Sequence, residues 1–291
     1  MQYFLFTFVR YTRKMKKHRS EIPKGGEEMT FWEHLDELRG TLWRIIIVLI
    51  VTSIVLFSFK DVLFDDILLA PKSKDFITYR LLCRLGDLLS MPSLCIDPSA
   101  FQLININLAG QFTSHMNISL VAGLIISLPY IIWELWRFVK PGLTPAEIRG
   151  SRGAVTIVSL LFLTGVSFSY FVVAPLMINF LGGYLVSSSV ANQIALTSYV
   201  STLTLMTLLM GLLFELPVLI LFLTRMGIVN PGFLRKYRKH AAILILVLAG
   251  IITPSPDVFS QLLVATPLYL LFEVSVSVSA RIHKRQREPA G

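Results

Sequence analysis

The sequence predicts an all-α polytopic membrane protein with six transmembrane helices, both termini cytoplasmic, and short fifth and sixth spans. Three observations predict it. First, 54% of the 291 residues are hydrophobic and only 15% are charged, where a soluble globule carries about 25% charged residues. Mean hydropathy is +0.67. Second, the apolar residues gather into runs long enough to approach the ~30 Å of a bilayer core. Third, the net charge of +9 is divided among basic clusters at 10–24, 137–152, 225–239 and 281–287, and the connections at 182–198 and 253–257 hold no Lys or Arg. That alternation is the positive-inside pattern. A nucleic-acid footprint needs one solvated basic face, so the same division excludes nucleic acid as a partner.

Taken in order, residues 1–29 read as a disordered cytoplasmic tail. Their short apolar stretch, 3–9, precedes the basic run, the reverse of a signal peptide. Residues 30–280 read as one six-helix membrane domain and 281–291 as a basic cytoplasmic tail. The spans are expected at 41–59, 116–138, 153–178, 199–224, 240–253 and 258–278. Thr30 and Glu33 fit a capping box. Phe31, Leu35, Leu38 and Leu42 recur at helical spacing, as in a helix lying on the membrane surface before it turns in. Residues 60–115 form the longest outside segment and hold Cys83 and Cys95. An oxidising compartment admits a disulfide there, and two unpaired thiols are the alternative. The fifth span, at 14 residues, covers only ~21 Å. It and the sixth are expected to thin the bilayer or to make a shallow hairpin.

The chemistry concentrates in carboxylates. Glu215 is the sole charged residue between Arg152 and Arg225. An ionised carboxylate at the centre of a span costs about 2.5–3.5 kcal/mol on insertion scales and usually marks function. Pro217 removes a backbone donor beside it. The site could hold a proton or ion, meet a polar group on a partner helix, or be a packed neutral side chain. Glu33 and Glu37 lie four apart and repel unless a cation sits between them. The bland alternative is a solvated polar face. Glu147 stands in an otherwise basic loop turned by Pro141, Gly142 and Pro145. It could pair locally with Arg149 or Arg152, or share a negative pocket with Glu37. Asp257 and Gln261 open the last span, either as helix-capping groups or as contact residues. No zinc motif follows His34, because position 38 is Leu. No nucleotide loop and no nucleophile–base pair is legible either. The expectation is therefore no enzyme, no metal and no cofactor.

Five motifs then occur in order: His34-Leu-x-Glu37-Leu-Arg39, Phe138-x-x-Pro141-Gly-Leu with Glu147, Phe214-Glu-x-Pro217, Thr253-Pro-x-Pro-Asp257-x-Phe-Ser-Gln261, and Leu271-Phe-Glu273. From residue 30 onward the chain resembles the TatC family, the receptor subunits of the twin-arginine protein translocase. The resemblance implies a multi-pass protein of the bacterial inner membrane that exports folded cargo with the proton motive force. It implies that Glu37, Arg39, Phe138 and Glu147 bind the twin-arginine signal peptide. Glu215, Asp257 and Gln261 would meet single-span TatA- or TatB-like partners, and other TatC copies would complete the complex. A guanidinium fork pairs bidentately with carboxylate and lysine cannot copy it, which suits two carboxylates reading two arginines. Thr41 departs from the family, where a second basic residue is common. The outside loop is longer than in compact relatives, and the tail 1–28 lies beyond the resemblance. The competing function is an ion-coupled secondary transporter using Glu215, which would ordinarily show internal repeats; none is seen between the two halves.

Overall fold

In the computed structural model, residues 31–91, 95, 101–142, 153–185, 187, 192–253 and 258–287 are described. The chain divides into two units, residues 1–42 and 43–291. The tail expected at 1–29 lies outside the described residues.

Helix α1 runs Phe31–Phe57. It starts one residue after Thr30, where the capping pattern places a helix start. A π-helical turn (Val62–Leu68) and a 3-10 turn (Ala70–Lys72) lead into α2, Ile77–Leu89. Cys83 and Cys95 form a disulfide, which settles the open question of the two thiols. Strand β1 (Gln102–Ile104) pairs in parallel with β2 (Gln193–Ala195), Gln102 opposite Gln193. Helix α3, Gly110–Val139, carries Pro129 inside it. Helices α4 (Ala154–Phe168) and α5 (Ala174–Gly183) are joined by a π turn at Ser169–Val173. Helices α6 (Leu196–Leu213) and α7 (Leu216–Arg225) meet at Glu215. The short α8 (Pro231–Lys236) is capped by Asn230, whose side chain accepts from the Phe233 amide, and precedes α9, Arg238–Ile252. The last helix, α10, runs Val258–Arg287.

Among the described residues, five segments are long and apolar enough to cross a membrane: Leu35–Phe57, Gly110–Gly142, Ala154–Gly183, Leu196–Arg225 and Ser260–Ile282. The fifth expected span, 240–253, falls on α9, whose 15 residues are not among these five segments. The expected short sixth span is corrected: α10 has 30 residues. Apolar character fades near its end, but Arg281, Lys284, Arg285, Gln286 and Arg287 are good helix formers, so the helix continues into the basic stretch.

Small residues set the closest helix approaches, as they do where lipid rather than water surrounds the bundle. A Cβ on Gly165 (α4) would stand 2.7 Å from the Met210 carbonyl oxygen of α6, and one on Gly211 would stand 2.6 Å from the Phe162 ring. The core collects on α5, α6 and α10 around Val173, Met177, Met206, Met210, Val264 and Leu268.

Candidate functional site

Beyond Asp36 and Glu37 at the entry of the first span, the described spans hold three carboxylates, and two of them are arranged alike. Glu134, on α3, is almost fully buried. Its Oε1 lies 3.1 Å from Arg44 Nε of α1 and 3.8 Å from Arg137 Nη1, and it accepts a hydrogen bond from Tyr130 Oη at 3.0 Å. Glu273, on α10, accepts from Arg238 Nη2 of α9 at 2.8 Å and from Tyr269 Oη at 3.2 Å. In each case a tyrosine sits four residues before the glutamate, on the same helix face. In each case the arginine comes from a neighbouring helix. The composition of the span hid Glu134, because Arg137 and Lys140 follow it closely and make it look like part of the basic loop. Its position inside the apolar window 116–138 was the available signal.

Glu215 differs from both. It forms the break between α6 and α7: its amide donates to the Leu212 carbonyl, and its own carbonyl accepts from Val218 and Leu219. Pro217 occupies the first turn of α7, which requires no donor there. Both carboxylate oxygens are buried and have no side-chain partner among the described residues; the Phe162 backbone of α4 is the polar group set against them. The Phe168 and Phe214 rings, centroids 5.8 Å apart, and the close passage of Gly165 past Phe214 hold the break against α4. A buried carboxylate without a side-chain donor is costly and calls for a proton or a partner.

The remaining expected residues distribute unevenly. Glu37 (half-buried) and Arg39 (exposed) lie on α1 within residues 1–42. Phe138 lies on α3 in the second unit, half-buried, one helical turn beyond Glu134. Glu147 and Asp257 lie outside the described residues. Gln261 is already engaged inside the chain: its Nε2 donates to the Leu246 carbonyl of α9 at 2.8 Å, across the space left open by Gly250. Among the described residues no cluster of three metal-ligating side chains exists.

The family model for the Sec-independent protein translocase protein TatC matches residues 33–267. The chain belongs to the TatC family. A TatC from Blattabacterium sp. subsp. Periplaneta americana is 39% identical across 94% of this chain and 100% of its own length. TatC from Carboxydothermus hydrogenoformans is 32% identical across 89% of this chain and 96% of its own. Among solved structures, the crystal structure of the twin-arginine translocase receptor TatC in DDM matches with a TM-score of 0.66 and 30% identity, over 85% of this chain and 99% of that one. As a TatC-family chain it is a multi-pass membrane protein of a protein translocase, a transport component.

Proposed function

We propose that this chain is the receptor and core subunit of a twin-arginine translocase in a bacterial cytoplasmic membrane. It has six spans with both termini in the cytoplasm, and α9 supplies the short fifth span. Glu37 and Glu147 pair with the two arginines of the signal peptide, and Arg39 and Phe138 shape that site. Glu215, with Asp257 and Gln261, meets a polar group on single-span TatA- or TatB-like partners, and several copies assemble to pass folded cargo using the proton motive force. The observation that carries this reading is the unpaired carboxylate of Glu215 at a helix break, in a chain 30% identical to proteins described as twin-arginine translocase receptors.

The test is binding of a twin-arginine peptide to the purified protein, compared with the same peptide carrying two lysines. Preferential binding of the arginine form, lost in the Glu37→Gln/Glu147→Gln double variant, is expected. Equal binding of both peptides by folded protein, with and without co-expressed partner, refutes the receptor role. Glu215→Ala is expected to keep peptide binding and lose partner assembly or transport. Normal export by that variant refutes the partner role.

A further inference from the structure

Helix α2 belongs to the long segment between the first two spans, the part to which no family role attaches. One face of it is fixed to the side of α4–α5. Tyr79 and Gly86 are buried, and Tyr79 Oη reaches the Pro175 carbonyl at 2.8 Å and the Pro71 carbonyl at 3.2 Å. The Thr78 hydroxyl donates to the Phe171 carbonyl, and Phe76 stacks on the Phe171 ring at 5.9 Å. The opposite face is apolar and uncovered: Ile77 is 55% exposed, Leu81 56%, Leu85 40% and Leu88 80%. Their spacing of four, four and three puts them in one stripe. Arg80 and Arg84, both exposed, run along one edge of the stripe with Asp87 beyond them. The Cys83–Cys95 disulfide ties the following chain back to the helix.

Depth decides what covers the stripe. Pro175 lies eight residues before the end of α5 at Gly183, about 12 Å along the axis. The apolar segment Ala154–Gly183 has 30 residues, about 45 Å. That exceeds a ~30 Å hydrocarbon core by about 7 Å at each end. The anchor of α2 is therefore beside the span, at the level where it is still in the membrane, and not beyond its tip. Ile67 and Phe171, which flank the anchor, are also exposed, so the stripe continues the lipid-facing surface of the span.

We infer that α2 is an interfacial helix. Its Ile77, Leu81, Leu85 and Leu88 stripe lies in the lipid leaflet at the end remote from the basic loops, and Arg80 and Arg84 reach the lipid phosphates. An apolar stripe bordered by arginines suits that boundary, where long cationic side chains extend their heads to the phosphates and keep their stems in the acyl region. The inference rests on the span assignment and not on the receptor role, so failure of the peptide-binding test leaves it standing.

The experiment uses the full chain alone in proteoliposomes of phosphatidylethanolamine and phosphatidylglycerol. The four native tryptophans are replaced by Phe, and a single Trp is placed at Leu81, Leu88 or Asp87. Brominated lipid is expected to quench Leu81→Trp and Leu88→Trp several-fold more than Asp87→Trp, with acrylamide in the reverse order. Acrylamide quenching of all three alike means that the stripe faces water and overturns the inference. Protection from both quenchers means that protein covers it, which also overturns it. A photo-crosslinking residue at Leu88 in the otherwise native chain gives a second reading that does not depend on the tryptophan-free background. A lipid adduct supports the inference and a protein–protein adduct refutes it.

Discussion

Removing Arg44 should cost more than removing the carboxylate it faces. In Arg44→Met, Glu134 stays buried, with its side chain 2% exposed, and keeps Arg137 at 3.8 Å and Tyr130 at 3.0 Å. Breaking a fully buried pair from one side costs about 3–5 kcal/mol. Arg44 is 33% exposed and two other contacts survive, which brings the expected loss to about 2 kcal/mol. In Glu134→Gln the amide oxygen still accepts from Tyr130. Arg44 and Arg137, 33% and 40% exposed, can turn their heads toward water, so the loss is about 1 kcal/mol, a single hydrogen-bond-scale effect. The double variant lacks the buried carboxylate and should be no worse than Glu134→Gln alone, giving a coupling of about 2 kcal/mol. Unfolding by SDS titration from mixed micelles measures all three. If Arg44→Met is no more destabilising than Glu134→Gln, and the two effects add, the cluster is not a buried charge pair.

Four further outcomes are expected. Gly165→Ala drives a Cβ to 2.7 Å from the Met210 carbonyl and 2.8 Å from Phe214 Cβ, which should cost about 1–3 kcal/mol as overpacking. Gly142→Ala meets nothing within 4 Å and should leave the unfolding midpoint unchanged. Cys83→Ser opens a cross-link with a sequence separation of 12, and chain entropy puts the loss at about 3 kcal/mol at most; thermal unfolding with and without reductant checks it. Burial pushes the Tyr79 phenol up from 10.0 to about 12. Between those pH values the folded protein keeps a proton that the unfolded chain has released, so stability falls as pH rises through the window. Tyr79→Phe should show a shallower decline there in denaturation midpoints taken at stepped pH.

Five of the spans were legible because hydropathy over a window is a one-dimensional signal. The α6–α7 break was legible for the same reason, since Pro217 marks it locally. Helix lengths near basic ends were not. In α10 the hydropathy pattern stops well before the backbone helix does, because Arg, Lys and Gln favour a helix in water as well as leucine does in lipid. The Arg44–Glu134 and Arg238–Glu273 pairs were missed for a different reason. Each joins residues on separate helices, 90 and 35 positions apart, and no local pattern encodes that. Gln261 shows the same limit from the other side. Its motif carries no sign that its carboxamide nitrogen donates to the Leu246 carbonyl, 15 positions away. The disulfide stayed open because Cys83 and Cys95 carry no geometry in the sequence.

The three carboxylates inside the spans separate structure from function by a sign. Glu134 and Glu273 each have an arginine and a tyrosine within reach, so their charge is compensated where it stands and their removal should destabilise. Glu215 has no side-chain donor among the described residues; both its oxygens are buried, with the Phe162 backbone the polar group set against them. Its charge is a cost that no described side chain offsets. Replacing it by the isosteric amide should therefore raise stability, by about 1–2 kcal/mol once the amide's own desolvation is subtracted from the insertion cost of a carboxylate. The partner-docking role proposed for it requires the opposite change in assembly, which should fall. Greater stability with weaker assembly is the pattern of a group retained for use at the expense of the fold. SDS-titrated unfolding of Glu215→Gln beside Glu134→Gln, with co-purification of a single-span partner from the same membranes, reads both signs at once. A loss of stability in Glu215→Gln would mean that the carboxylate already has a partner within the subunit, and the docking argument would lose its physical basis.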